Sequence, residues 1–229
     1  MSTIKEALHG LQRQQTLGAT LDHPHYISLS LIGNWLQDVA FSEASGVMLD
    51  YGCGGQPYKN FFMPKLSRYI GADVSAADGI CLDIEIEPQQ ALALDGASID
   101  TLLSTQTLEH IEDIEFYISE CARLVRPDGV LILTAPMQWR HHEVPYDYWR
   151  FTQYGLISLL ERHGFSIKSI SPCGGVYALI GQIFLSHLHE RGVRKKWLNK
   201  MVNWFALYLN QHWNDTEDTL NWMCIAIRN

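Results

Sequence analysis

The chain has 229 residues, enough for one α/β domain with an elaboration and for a core that needs no disulfide or metal staple. Its 47% hydrophobic and 18% charged content excludes disorder for the bulk of it. A net charge of −8 sets the global field against duplex nucleic acid, and the one basic cluster is short: Arg191, Arg194, Lys195, Lys196 and Lys200.

Five cysteines, Cys53, Cys81, Cys121, Cys173 and Cys224, are odd in number and form no CxxC pair. Free thiols in a reducing compartment account for them, so a cytoplasmic location is expected. Residues 1–10 have no signal-peptide core. No apolar run reaches the roughly 18 residues of a spanning helix.

Residues 1–25 are polar, carry His23-Pro24-His25 and read as a loose lead-in. Over 26–41, Ile27, Leu31, Trp35, Leu36 and Val39 follow a helical period up to Gly46. Val47, Met48 and Leu49 then open a buried parallel strand that runs through Asp50 into a glycine turn. Pro57 suits the first turn of a short helix over 57–63. A second strand is predicted at 69–73, ending in Asp73, and a third at 80–83, ending in Asp83. Asp95-Gly96 marks a turn, and 99–104 reads as a fourth strand.

Ile111, Ile114, Ile118, Cys121 and Val125 form one face of an amphipathic helix. A turn at Pro127-Asp128-Gly129 is expected to stop it, before a fifth strand over 130–133. Thr152 is a candidate cap for a helix reaching His163, stopped by Gly164. A sixth strand is expected at 166–171 and a seventh at 222–227. Between these two, residues 176–213 break the alternation and read as two added helices. The fold class that follows is α/β: a Rossmann-like, seven-stranded, mostly parallel sheet with helices on both faces and a helical insertion before the last strand.

The strand leading into Asp50-Tyr51-Gly52-Cys53-Gly54-Gly55 and on to a helix has the layout of a ligand-binding turn, where glycines let a ligand approach the backbone. Asp73 lies 23 residues beyond Asp50, a spacing suited to an acid that accepts from ribose hydroxyls. Three details favour an adenosine sulfonium over a dinucleotide. Asp50 places a carboxylate before the first glycine, where a cationic cofactor gains from it. The third glycine of the dinucleotide pattern is replaced by Pro57. Asp83 closes the third strand, where an adenine amino group could be read.

Residues 47–165 resemble the class I S-adenosylmethionine-dependent methyltransferases, within them the type 11 group. The resemblance rests on Leu49-Asp50-Tyr51-Gly52-Cys53-Gly54, Gly71-Ala72-Asp73, Leu82-Asp83, Ile99-Asp100 through Leu108-Glu109-His110, and Leu124-Val125-Arg126-Pro127-Asp128-Gly129. It implies S-adenosylmethionine as cofactor, with S-adenosylhomocysteine as product. Asp50, Gly52, Cys53 and Gly54 would then lie along the methionine part, and Asp73 with Val74 at the ribose. Asp83 and Ile84 would border the adenine, and Ser104, Thr105 and Gln106 would line the floor near the sulfonium. The turn departs from the pattern at Gly55-Gln56-Pro57, where many members carry one more glycine.

After the fifth strand comes a loop dense in His, aromatics and charge. His142 through Thr152 resembles a block, His-x-x-Pro-x-Asp-Tyr-x-Arg-Phe-Thr, of a subset of that group associated with surface-glycan or small-metabolite modification. His142 is the candidate base or acceptor-orienting residue, with Tyr146 and Asp147 beside it. Asp147 and Arg150, three apart, could equally form an ion pair that shapes the loop. No metal site is expected from His141, His142 and Glu143, because adjacent side chains diverge.

The added helices carry Leu198, Met201, Val202, Phe205 and Leu209 as a stripe, with Trp197, Trp204 and Trp213 nearby. Three uses fit: a wall of the acceptor pocket, a homodimer contact, or peripheral membrane docking. The expected organisation is a helical lead-in over 1–45, a cofactor-binding domain over 46–175, inserted helices over 176–215 and a final strand in 216–229. The expected partner is a small molecule or glycan precursor. A cofactor-binding subunit without turnover is the alternative, and a nicotinamide-dependent oxidoreductase a third.

Overall fold

The computed structural model describes residues 18–76, 79–213 and 215–229. Helix α1 (Tyr26–Ser42) precedes strand β1 (Gly46–Tyr51). Then follow α2 (Lys59–Phe62), a 3-10 turn (Met63–Lys65), β2 (Leu66–Asp73), β3 (Ile84–Glu85) and β4 (Ile99–Thr105). A second 3-10 turn (Leu108–His110) leads to α3 (Ile114–Leu124) and β5 (Val125–Pro136). The chain closes with α4 (Gln153–Arg162), β6 (Phe165–Cys173), α5 (Val176–Glu190), α6 (Lys196–His212) and β7 (Asn221–Arg228).

The sheet has seven strands in the order β3-β2-β1-β4-β5-β7-β6. The pairs from β3 to β5 are parallel, and β7 runs antiparallel to both its neighbours. Its central strands are apolar on both faces because both are covered. One face packs Leu49, Leu102, Leu131 and Cys224 under α3 and α4, through Ile118, Cys121, Leu156 and Leu160. The other packs Met48, Leu103, Ile132 and Ile225 under α1, through Ile32, Leu36 and Val39. A smaller cluster of Ile27, Ala178, Leu179, Ala206 and Leu220 joins α1 to the α5–α6 pair.

Two expectations need correction. The third strand lies at Ile84–Glu85, after Asp83 rather than before it. Asp83 is held at the sheet edge by its own carboxylate, which accepts the Gly71 N–H at 2.8 Å, and the ladder begins one residue later. The turn at Pro127-Asp128-Gly129 does not lie outside the sheet: β5 runs through it. Val125 pairs with Ile99 and Val130 with Thr101, so the intervening residues bulge, with Asp128 at φ 60°. The cap at Thr152 forms as expected, its hydroxyl accepting the Gly155 N–H at 3.1 Å.

Candidate active site

The strand order reverses between β1 and β4, and at their carboxyl ends lies a cavity of about 800 Å³. Open α/β sheets bind ligands at such a reversal, because the flanking loops part there. The volume falls in the upper part of the range of roughly 300–1,000 Å³ common for small-molecule sites.

The turn after β1 forms one wall. Gly52, at φ 85°, and Cys53 both donate to the Ala72 carbonyl, at 2.8 and 3.1 Å. A Cβ on Gly52 would run into the Thr107 side chain, so the position needs glycine twice over. Gly54, at φ 51°, donates its N–H to Asp73 Oδ2 at 2.7 Å, and Asp73 Oδ1 accepts the Val74 N–H at 2.7 Å. Nothing stands within 4 Å of where a Gly54 Cβ would be, so this face of the turn is open. The turn leaves through Gln56 at φ 54°, tied by its side-chain amide to the Cys81 carbonyl at 3.2 Å.

Gly52, Cys53, Gly54, Asp73, Val74, Thr105 and Gln106 line the cavity together. Gln106 holds a left-handed backbone, φ 50°, at the end of β4, and Thr134 accepts from both its backbone N–H and its side-chain amide. Such a conformation at a ligand-facing strand end is stored strain, held by those bonds.

Four expected cofactor residues lie elsewhere. Asp50 is buried beneath the turn, its Oδ2 accepting from Tyr69 OH at 2.5 Å and its Oδ1 without a partner among the described residues. Burial pushes its carboxyl up to about 7. Ser104 is buried and 2.9 Å from Tyr117 OH, which in turn donates to the Tyr51 carbonyl, so it braces the turn. Asp83 and Ile84 are absent from the lining, and Ile86, Glu87, Pro88, Gln89 and Gln90 form that wall. The edge ladder engages Asp83, while the chain beyond β3 turns over the cavity.

The loop after β5 forms the opposite wall. The Glu109 carbonyl accepts N–H groups from Tyr148 and Trp149, at 2.8 and 3.3 Å, and the Trp149 indole donates to the Ile111 carbonyl at 2.8 Å. The loop is thus strapped to the turn that follows β4. Arg150 donates to both Asp147 oxygens, at 2.7 and 2.9 Å, and to the carbonyls of Trp139 and Arg140. Asp147 also accepts the His142 N–H at 3.2 Å. Asp147 is absent from the lining, whereas His142 and Tyr146 belong to it. The ion pair of Asp147 and Arg150 therefore holds His142 in place and does not itself face the cavity.

Burial and the neighbouring His110 lower the His142 pKa, so the imidazole is neutral near neutral pH. Its Nδ1 is 3.2 Å from the Arg140 carbonyl, which places the hydrogen there and leaves the Nε2 lone pair available. His110 packs edge-on against it with ring centroids 4.7 Å apart, and His110 Nδ1 donates to the Tyr146 carbonyl at 2.6 Å. Glu109 is 1% exposed, with Oε2 unpartnered among the described residues and burial raising its carboxyl to about 7. Ligand-capable atoms of Glu109, His110 and His142 lie within 4.8 Å of one another, a grouping that could hold a metal ion. No metal was expected, since His141, His142 and Glu143 diverge and no distal ligand pair stands out in the sequence; the structure brings His142 beside Glu109 and His110. Glu109 and His110 belonged to the family pattern but were not singled out as site residues. An acid–His pair directly after the switch-point strand was the signal for them.

Residues 49–133 match a family described as a methyltransferase domain. Over those residues the chain is similar to methyltransferase domains. A ubiquinone biosynthesis O-methyltransferase from Sinorhizobium fredii is 31% identical over 97 residues, which cover 38% of this chain and 39% of that protein. A second, from Chelativorans sp., is 30% identical over 97 residues. The match thus spans about two fifths of the length of these relatives. Among solved structures, the [4+2]-cyclase SpnF covers 93% of this chain and 97% of its own, at TM-score 0.55 and 16% identity. Phosphoethanolamine N-methyltransferase 2 from Haemonchus contortus covers 100% of this chain and 60% of its own, at TM-score 0.57 and 14% identity. At such identities these likenesses concern the fold.

S-adenosylmethionine is the cofactor of a domain of this kind. The residues present fit it: an open glycine face and a buried acid held at the end of β2, both in the cavity lining.

Proposed function

We propose that this protein transfers a methyl group from S-adenosylmethionine to an oxygen or nitrogen of a small molecule or glycan precursor. The observation that carries this reading is the neutral His142, which lines the same cavity as the glycine turn and donates from Nδ1 to the Arg140 carbonyl. The cofactor, when bound, supplies a methyl carbon already activated by the sulfonium. His142 Nε2 would take the proton of the acceptor hydroxyl or amine, to which the bound cofactor would supply its methyl group. Tyr146, Trp139 and Tyr148 line the acceptor side and orient it, and positioning supplies much of the rate in an in-line displacement. The relatives' printed names, O-methyltransferases, support oxygen as the accepting atom.

Calorimetry with S-adenosylhomocysteine and with NAD, followed by a screen of phenolic metabolites and glycan precursors with radiolabelled methyl donor, tests the reading. Binding of the homocysteine form alone, with label transferred to one acceptor, is expected. Absence of binding at high micromolar concentration would sink it. The second reading is a cofactor-binding subunit without methyl transfer; a cyclase by name, SpnF, has a similar fold. An acceptor turned over by the wild type and not by His142→Ala, at unchanged cofactor affinity, decides between the two.

A further inference from the structure

Helices α5 and α6 pack against each other closely, since a Cβ on Gly181 would strike Ala206. The pair buries Asn199, Asn203 and Ala206 of α6 and turns the other side of that helix outward. Trp197, Met201, Trp204, Phe205 and Tyr208 are 65%, 53%, 58%, 53% and 43% exposed. They recur at the three- and four-residue spacing of a single helix face. Ile180, Ile183 and Phe184 of α5 are also exposed, and between the helices runs an apolar groove of about 370 Å³. Exposed large apolar side chains this concentrated mark a contact surface.

Charge identifies what it contacts. From Arg162 to Trp213 the sole acid is Glu190, while seven of the chain's 17 Lys and Arg fall there, within a protein of net charge −8. Arg191, Arg194, Lys195, Lys196 and Lys200 cluster at the turn between the helices and the first turn of α6, all exposed. Lys196 approaches Asp22 at 3.3 Å and Arg194 meets His189, whereas Arg191, Lys195 and Lys200 have no ion pair among the described residues. A cationic rim beside an outward face of Trp, Tyr, Phe and Met is the composition of a helix lying in a bilayer interface. An anionic headgroup layer attracts such a rim although the rest of the molecule is acidic.

We infer that the α5–α6 face docks on an anionic lipid surface, with the basic turn against the headgroups and Trp204, Phe205 and Met201 in the interface. The site is coupled to the cavity by position: Glu190, at the end of α5, lines it and pairs with Arg140 at 3.6 Å, and His189 packs on the cavity residue His25. Docking would therefore bring one wall of the cavity to the membrane surface.

The test is co-sedimentation of the whole chain with phosphatidylcholine vesicles containing about a third phosphatidylglycerol, against pure phosphatidylcholine. Binding to the anionic vesicles at least tenfold tighter, falling steeply with salt, is expected. Trp204→Ser/Phe205→Ser and Lys195→Glu/Lys200→Glu should each lose binding at least tenfold while retaining the wild-type circular dichroism spectrum and melting temperature. Because those variants could misfold, Trp204→Tyr keeps the question answerable: brominated lipid should quench the wild-type tryptophan fluorescence more than that of the variant. No binding by the folded wild-type protein overturns the inference. So does a concentration-dependent dimer in sedimentation velocity that the Trp204/Phe205 variant disperses, which would assign the face to a second copy.

Discussion

Asp50 and His142 are the residues whose surroundings change their chemistry most usefully. Asp50 is fully enclosed and its carboxyl is raised to about 7. A raised carboxyl pKa means that the folded state binds the proton more tightly than the unfolded one. Its stabilising contribution is present below the unfolded value, near 4, and is lost as pH rises through 7. Asp50→Asn should flatten the fall in melting temperature between pH 5 and 8 in the cofactor-free protein, by the equivalent of about 1–3 kcal/mol. Melting curves of the two proteins across that range check it, and identical slopes would refute it. His142, lowered by burial, is neutral earlier than an ordinary histidine. Methyl transfer should therefore rise with pH to a plateau already reached near neutrality, and His142→Ala should cost about 10²–10⁴-fold in kcat.

At the scale of elements, the loop after β5 is useful only if held. Arg150 bonds both Asp147 oxygens and two carbonyls, and Asp147 holds the His142 backbone. A lysine cannot reproduce that fork. Arg150→Lys should lower kcat at least tenfold with the affinity for S-adenosylhomocysteine unchanged, in steady-state kinetics paired with calorimetry. The turn after β1 makes the opposite separation. Gly52→Ala must hold φ near 85° with a methyl group against Thr107, a strain of about 1–3 kcal/mol. It should weaken cofactor binding at least tenfold, measured by the same titration.

For the whole molecule, the cavity joins walls from the ends of β1, β2 and β4, the chain past β3 and the loop after β5. A ligand gripping all of them stabilises the folded chain by mass action. S-adenosylhomocysteine at a hundredfold over its Kd should add about 2.7 kcal/mol, visible as a rise in melting temperature. Glycine turns, strand-end acids and hydrophobic period are local, so the mostly parallel sheet, the glycine turn at the cavity and the two added helices were legible in the residues. The position of His142 after a strand end also marked it as a cavity residue, and it lines the cavity. Proximity between segments far apart in the chain had no such signal. Asp83 looked like a ligand because it ends an apolar run, yet the Gly71 N–H engages it at the sheet edge. Asp147 looked catalytic, yet Arg150 occupies both its oxygens. The sequence by itself marked the glycine turn after β1 as the ligand-facing candidate, because glycine is the residue that frees the backbone there. Only the tertiary structure decided which acids face the cavity, that Glu109 and His110 stand beside His142, and that the aromatic face of α6 is turned outward. Those outcomes depend on what packs against each side chain, and packing partners are separated by tens of residues.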